Sequence, residues 1–233
     1  MQRVKAILAV TAVVFVVALV IFNASRPVEA DPTIWNTEMT KGNPEAEKHY
    51  IMYTDIFCPY CDKFSNALTA NKEDFEANYL NNDKVYFEIR ITQLNYLSGH
   101  SDNSQPGGES AYCAANQQKF WPYYEAILAK LYEDYHSKGI GVSKTSEKMP
   151  DLELSYFYEA AETAELDLDT FKSCVENHDT LEELEKNTTR AQKQIESGVP
   201  YFVFGSFTFS GFDGNWDTDN DYKQAKLLLD SGL

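Results

Sequence analysis

Nine residues rich in β-branched and aromatic side chains, His49 to Phe57 (HYIMYTDIF), run directly into Cys58-Pro59-Tyr60-Cys61. Such a run reads as a buried strand. Phe64, Leu68, Phe75 and Tyr79 then recur at helical spacing, so a helix begins at the cysteines. Pro59 suits the first turn, because the N–H it lacks would have had no partner there. Two cysteines three apart at a helix start place a nucleophilic and a resolving thiol within one turn. Free backbone N–H groups and the positive end of the helix dipole favour a thiolate at the first of them. Cys58 is therefore the expected attacking residue, facing outward, and Cys61, one turn in and more buried, the resolving one. The alternatives are a structural disulfide or half of a zinc site. A four-ligand zinc site needs a second close pair, whereas Cys113 and Cys174 stand singly. Asp62 after Cys61 excludes the c-type haem motif.

Val85, Phe87, Ile89 and Ile91 alternate with Tyr86, Glu88, Arg90 and Thr92, the pattern of a strand with two different faces. Ser98 to Ser110 (SGHSDNSQPGGES) reads as a loop by composition. The following 90 or so residues read as helices only. Phe120, Tyr124, Ile127, Leu128 and Leu131 form one stripe, with Pro122 expected to break or kink its start. After a second loop at about 136–150 come a helix carrying Leu154, Phe157, Tyr158 and Ala161, and a short one carrying Phe171, Cys174 and Val175. A longer amphipathic helix from Leu181 through Ile195 ends at Gly198. The period then returns to two. Tyr201–Phe204 and Phe207–Ser210 flank Gly205-Ser206, a hairpin signal, and Asp221 to Leu229 closes the chain as a helix.

At the other end, Arg3 and Lys5 precede an uncharged apolar run from Ala6 to Phe22. It reads as an export signal or a membrane anchor: the run just reaches bilayer-spanning length, and Val28-Glu29-Ala30 fits the small-x-small cleavage pattern. Either way the remainder is expected outside the cytoplasm, because the basic residues precede the span. The net charge of −16 would repel a phosphate backbone, so nucleic acid is not an expected partner.

The order strand, CxxC helix, strand, helical block, Val-Pro, hairpin, helix resembles the DsbA-like branch of the thioredoxin superfamily. The resemblance begins at Lys41-Gly42-Asn43-Pro44-Glu45-Ala46. It continues through Phe57-Cys58-Pro59-Tyr60-Cys61 and Lys119-Phe120-Trp121-Pro122-Tyr123, and ends with Gly198-Val199-Pro200. It implies an α/β thioredoxin fold over residues 31–233, a central mixed sheet flanked by helices, with a helical subdomain inserted at about 105–197. By the same resemblance Pro200 is cis and faces the cysteines, keeping metals off the thiols, and the Val199 backbone pairs with an extended substrate peptide. Tyr60 stands where the best-known members have His, and Met52 where they have a buried Glu.

The implied activity is thiol–disulfide exchange with secreted proteins, foremost as an oxidase, otherwise as a reductase or isomerase. The implied partners are reduced or unfolded secreted proteins and a membrane quinone-linked reoxidant of DsbB or vitamin K epoxide reductase type. No metal and no cofactor beyond the Cys58–Cys61 disulfide is expected. A reading of another class is a non-catalytic thioredoxin-like binding module whose CxxC staples the fold. Asp55, three residues before Cys58, is either a proton shuttle for Cys61 or a polar cap at the strand end. Cys113 and Cys174 are expected to form a structural disulfide, the one connectivity that leaves the CxxC pair free to cycle; two buried thiols are the alternative. His49, His100, His136 and His178 are scattered without metal-ligand spacing and are expected in solvated or capping roles. Asn187-Thr188-Thr189 matches a glycosylation acceptor but falls on a helix and is treated as chance.

Overall fold

The structure, a computed structural model, describes residues 33–93, 102–195, 197–205 and 207–232. The signal or anchor expected over residues 1–30 lies outside these, as does His100. No helix among the described residues is long and apolar enough to cross a membrane.

Five strands form one mixed sheet: β1 (Thr40–Lys41), β2 (Lys48–Thr54), β3 (Val85–Ile91), β4 (Tyr201–Phe204) and β5 (Phe207–Ser210), in the spatial order β1-β3-β2-β4-β5. β2 and β3 are parallel, with Met52 opposite Ile89, and every other pairing is antiparallel. The parallel pair is joined through α1 (Pro59–Ala70) and the short α2 (Lys72–Phe75), which ends in a π-helical turn, Glu76–Leu80. Helix α1 therefore starts at the cysteines as expected. The continuous helix that Phe75 and Tyr79 implied is interrupted at Asn71, whose side chain donates to the Ala67 carbonyl. Between β3 and β4 lies the helical insertion: α3 (Ser104–Asn116), α4 (Phe120–Asp134), α5 (Leu154–Thr163), α6 (Leu168–Glu176) and α7 (Leu181–Ala191). Helix α8 (Thr218–Ser231) follows the hairpin, whose turn residue Gly205 has a positive φ.

Expectations at three of the inserted helices are corrected. Ser104 to Ser110, read as loop, is the first half of α3. Pro106 lies in its first turn, where a missing N–H costs no bond. Gly107 and Gly108 serve close packing: a Cβ on Gly107 would stand 2.5 Å from Phe57 Cε2, and one on Gly108 2.7 Å from Leu184 Cδ2. Pro122, by the same first-turn logic, neither breaks nor delays α4. Helix α7 stops at Ala191, short of Ile195 and Gly198, and the chain leaves it in turns.

The alternation of β3 is real, but its polar face is also buried. Glu88 and Arg90, both without side-chain exposure, pair at 2.9 Å. His49 joins Glu88 at 2.8 Å, and Arg90 donates to the Tyr53 hydroxyl at 2.8 Å. Trp35 closes the cluster, with the guanidinium groups of Arg90 and of Arg190 from α7 each 4.6 Å from its ring. The opposite face of the sheet is apolar. There Tyr50 stacks on Phe204, Phe64 of α1 packs against Phe202, and the Tyr50 hydroxyl donates to the Leu229 carbonyl of α8. This packing fixes α1, and with it the cysteines, against the sheet.

Of the three described histidines only His136 is buried; His178 is exposed, as expected, and each of the three pairs with a buried carboxylate. Besides His49, His178 pairs with buried Glu109 at 2.9 Å and His136 with buried Asp62 at 2.6 Å. No cluster of three or more His, Cys, Asp or Glu able to hold a metal occurs among the described residues. Asn187 is buried and donates to the Tyr112 hydroxyl, which removes it from reach of glycosylation.

Candidate active site

Cys58 is the N-cap of α1 and Pro59 its first residue. The Cys58 sulfur accepts the Cys61 backbone N–H at 3.4 Å. This is the ordinary duty of a capping oxygen performed by sulfur, and it directs the bond's positive end at the group that carries negative charge as a thiolate. The Cys58 thiol in turn donates to the Val199 carbonyl at 3.4 Å. The Val199–Pro200 peptide bond is cis and lies directly before β4. One expectation fails here: Cys58 does not face outward. Both cysteines are 1% exposed, because the Val199 segment covers the sulfur that an isolated helix N-terminus would present to water. Tyr60 between them is 40% exposed.

Cys61 is enclosed by the core. Burial and the adjacent Cys58 sulfur push its thiol well above the ordinary range, against weaker opposing contacts from the Thr54 side chain and the Asp55 backbone. Both cysteines are free thiols in this structure, while Cys113 of α3 and Cys174 of α6 are bonded, S–S 2.04 Å. Asp55 is wholly buried; its carboxylate accepts the Phe57 N–H at 2.8 Å and its carbonyl accepts the Cys58 N–H at 3.0 Å. It thereby shapes the turn that presents Cys58.

Sequence reasoning passed over the groups around this turn. The Asp62 carboxyl, fully buried, bonds His136 and accepts the Asn66 side-chain N–H; burial pushes it up to about 6 against the opposing pull of His136. The charge of Lys63 bears on Cys58 as well as on Asp62, and its ammonium lies 5.0 Å from the Tyr60 ring and 5.5 Å from the Trp216 ring. Trp216 covers His136 and packs on exposed Tyr132. Asp62 was detectable as an acid directly after the motif. His136, 74 residues away, carries no sequence signal that links it to the site.

An α/β sheet with a dithiol at the start of its first long helix, set against a cis proline, defines a thioredoxin-type redox protein. The thioredoxin family profile matches residues 35–229, and the chain belongs to that family. It is 24% identical over 211 residues to a probable disulfide bond formation protein D of Bacillus cereus, covering 88% of each chain. Among solved structures it is similar to oxidised BdbD from Bacillus subtilis: TM-score 0.60, 15% identity, 83% of this chain and 91% of that one. It is also similar to the DsbA of Chlamydia trachomatis: TM-score 0.53, 15% identity, 88% of this chain and 97% of that one.

Proposed function

We propose that this thiol–disulfide oxidoreductase works as an oxidase, passing the Cys58–Cys61 disulfide to reduced or unfolded secreted proteins. The observation that carries the direction is the cap on Cys58. Its sulfur accepts the Cys61 N–H at the head of a 12-residue helix, with the charge of Lys63 bearing on it. The N–H bond is made to the free Cys58 sulfur of the reduced pair, and a couple whose reduced form is stabilised gives its disulfide away. The Bacillus cereus relative is named for disulfide bond formation, which supports the same direction.

In this reading an extended substrate strand pairs with the Val199 backbone beside Pro200 and displaces the Cys58 thiol from the Val199 carbonyl. The couple needs no cofactor of its own. It is reset by a membrane quinone-linked reoxidant of DsbB or vitamin K epoxide reductase type. The work takes place outside the cytoplasm, with residues 1–30 as signal or anchor. Asp55 is assigned to the turn rather than to proton transfer, since its carboxylate accepts the Phe57 N–H. An Asp55→Asn variant with the wild-type pH profile of exchange is the expected outcome.

The test is the reduction potential of Cys58–Cys61 in the full-length chain, equilibrated in detergent against glutathione buffers. A value near about −120 mV is expected, whereas one near about −270 mV would make the protein a reductase. Cys61→Ser is expected to trap substrate proteins as mixed disulfides on Cys58. A binding module with a stapling CxxC would trap none.

A further inference from the structure

A substrate sulfur has to reach Cys58, yet Cys58 is 1% exposed and Val199, whose segment covers it, is 8% exposed. Exchange therefore obliges the cover to move. A bond donated by Cys58 itself holds that cover down: the thiol donates to the Val199 carbonyl, sulfur to oxygen 3.4 Å. The hydrogen in this bond exists only on the reduced, protonated residue. When oxidised glutathione oxidises the pair, the Cys58–Cys61 S–S bond forms and the glutathione S–S bond breaks. Both thiol hydrogens leave on the two molecules of glutathione. A disulfide sulfur has no hydrogen to donate, and the same is true of Cys58 in a mixed disulfide with a substrate. In both states the Val199 carbonyl loses this donor.

The backbone leaves freedom to move just where that bond is made. From Pro200 onward the chain is fixed: the Pro200 carbonyl accepts the Gly211 N–H at 2.8 Å, and Tyr201 is paired with Tyr53 of β2 and Ser210 of β5. On the other side α7 has already ended at Ala191. Gly198 lies between the two with a φ of +113°, in the region that favours glycine. A Cβ there would meet no atom of the described residues within 4 Å. Glycine is thus required at 198 by the backbone conformation that sets the Val199 carbonyl over the sulfur, and not by packing.

We propose that Gly198-Val199 is a redox-dependent latch, closed over Cys58 by the thiol hydrogen in the reduced protein and released when Cys58 is in a disulfide. The proposal rests on the reading of the chain as a disulfide exchanger. In the oxidised protein the released carbonyl accepts an N–H of the extended substrate strand, and the mixed disulfide keeps it available. A second substrate thiolate then attacks the substrate sulfur of the mixed disulfide. The substrate S–S bond forms, the bond to Cys58 breaks, and Cys58 leaves as a thiolate that takes a proton from water. Its S–H reclaims the Val199 carbonyl. Thiol and product strand compete for one acceptor, so reprotonation drives oxidised product off. It also hides Cys58 from the disulfide just made, which separates donation from the reverse reduction.

The experiment uses the full-length chain in detergent, oxidised with oxidised glutathione or reduced with dithiothreitol and then freed of reagent. Hydrogen–deuterium exchange is read by mass spectrometry in both forms. The Gly198 and Val199 amides are expected to exchange about fivefold or more faster in the oxidised form, the scale of one lost hydrogen bond. Those of Phe202 and Val203 in β4 should keep their rates within about twofold. In reduced Gly198→Ala, whose Cβ disfavours the closed backbone, Cys58 should react with iodoacetamide about fivefold or more faster than in reduced wild type. Equal amide rates in the two forms overturn the latch, as do faster rates in the reduced form. A rise shared by β4 also overturns it, since that is a loosening of the sheet. Alkylation of Gly198→Ala within about twofold of wild type does the same. If Gly198→Ala does not fold, the wild-type comparison answers the question. Wild-type protein that reacts with neither glutathione nor dithiothreitol refutes the exchanger reading and the latch with it, whereas normal thiol exchange with state-independent amide rates refutes the latch alone.

Discussion

Asp62→Asn removes one negative charge from the interior of the active-site helix while keeping the side chain's size. The carboxyl is fully buried, 2.6 Å from His136 Nδ1, with Asn66 donating to it and Lys63 and the Tyr124 phenol as the other titratable groups that feel its charge. Burial pushes it up from 3.8 to about 6 against the opposing pull of His136 and Lys63. Because the folded value is the higher, the native state holds the proton more tightly than the unfolded chain does. The carboxyl's contribution to stability is therefore complete below about pH 3.8 and is lost as pH rises through about 6. A gap of roughly two pH units corresponds to about 3 kcal/mol. Wild type should lose roughly that much relative to Asp62→Asn between about pH 4 and 6, after which the two curves run parallel. Urea unfolding of both full-length proteins at closely spaced pH values, followed by tryptophan fluorescence, measures the difference. A difference that stays flat would refute the reasoning. So would a wild type that gains on the variant as pH rises, since that would make the pair a stabilising ion pair.

Gly107→Ala should lower the urea midpoint. The added methyl meets Phe57 Cε2 at 2.5 Å, an overpacking cost of about 1–3 kcal/mol that outweighs the ~1 kcal/mol helix gain of Ala over Gly; a stabilised variant would contradict the packing. Replacing Cys113 and Cys174 by Ala opens a loop with a sequence separation of 61, at a cost of about 4 kcal/mol in unfolding free energy. Exchange at Cys58 should survive, and its loss would give the second disulfide a redox part. Glu88→Ala leaves the Arg90 guanidinium in the core without its carboxylate. Thermal and urea unfolding should register a loss of about 3–5 kcal/mol, and a loss below about 1 kcal/mol would show that the cluster holds the sheet by packing alone.

Local chemistry made the Cys58–Cys61 motif legible. Cys58, Pro59 and Cys61 follow a strand-forming run, and a proline at the first helical position needs no partner that a sequence would have to reveal. The same holds for β3, the hairpin around Gly205 and the stripes of α4, α5 and α6, where side-chain period reports which face is buried. Local rules failed where a distant element supplied the reason. Pro106, Gly107 and Gly108 look like a loop until Phe57 and Leu184 are packed on the two glycines. Glu88 and Arg90 look like a solvent face until His49, Tyr53 and Trp35 close over them.

The chain order and its cysteine spacing therefore determine the fold class and the chemistry of the site, because strand, turn and helix signals and a CxxC couple act over a few residues. Only the tertiary structure decides how the couple is tuned. The Val199 carbonyl that buries Cys58, the His136 that meets Asp62 and the Tyr124 that reaches Ser65 arrive from 141, 74 and 59 residues away. No periodicity links residues so far apart; they meet because α1, the cis-proline segment and the inserted helices pack around one core.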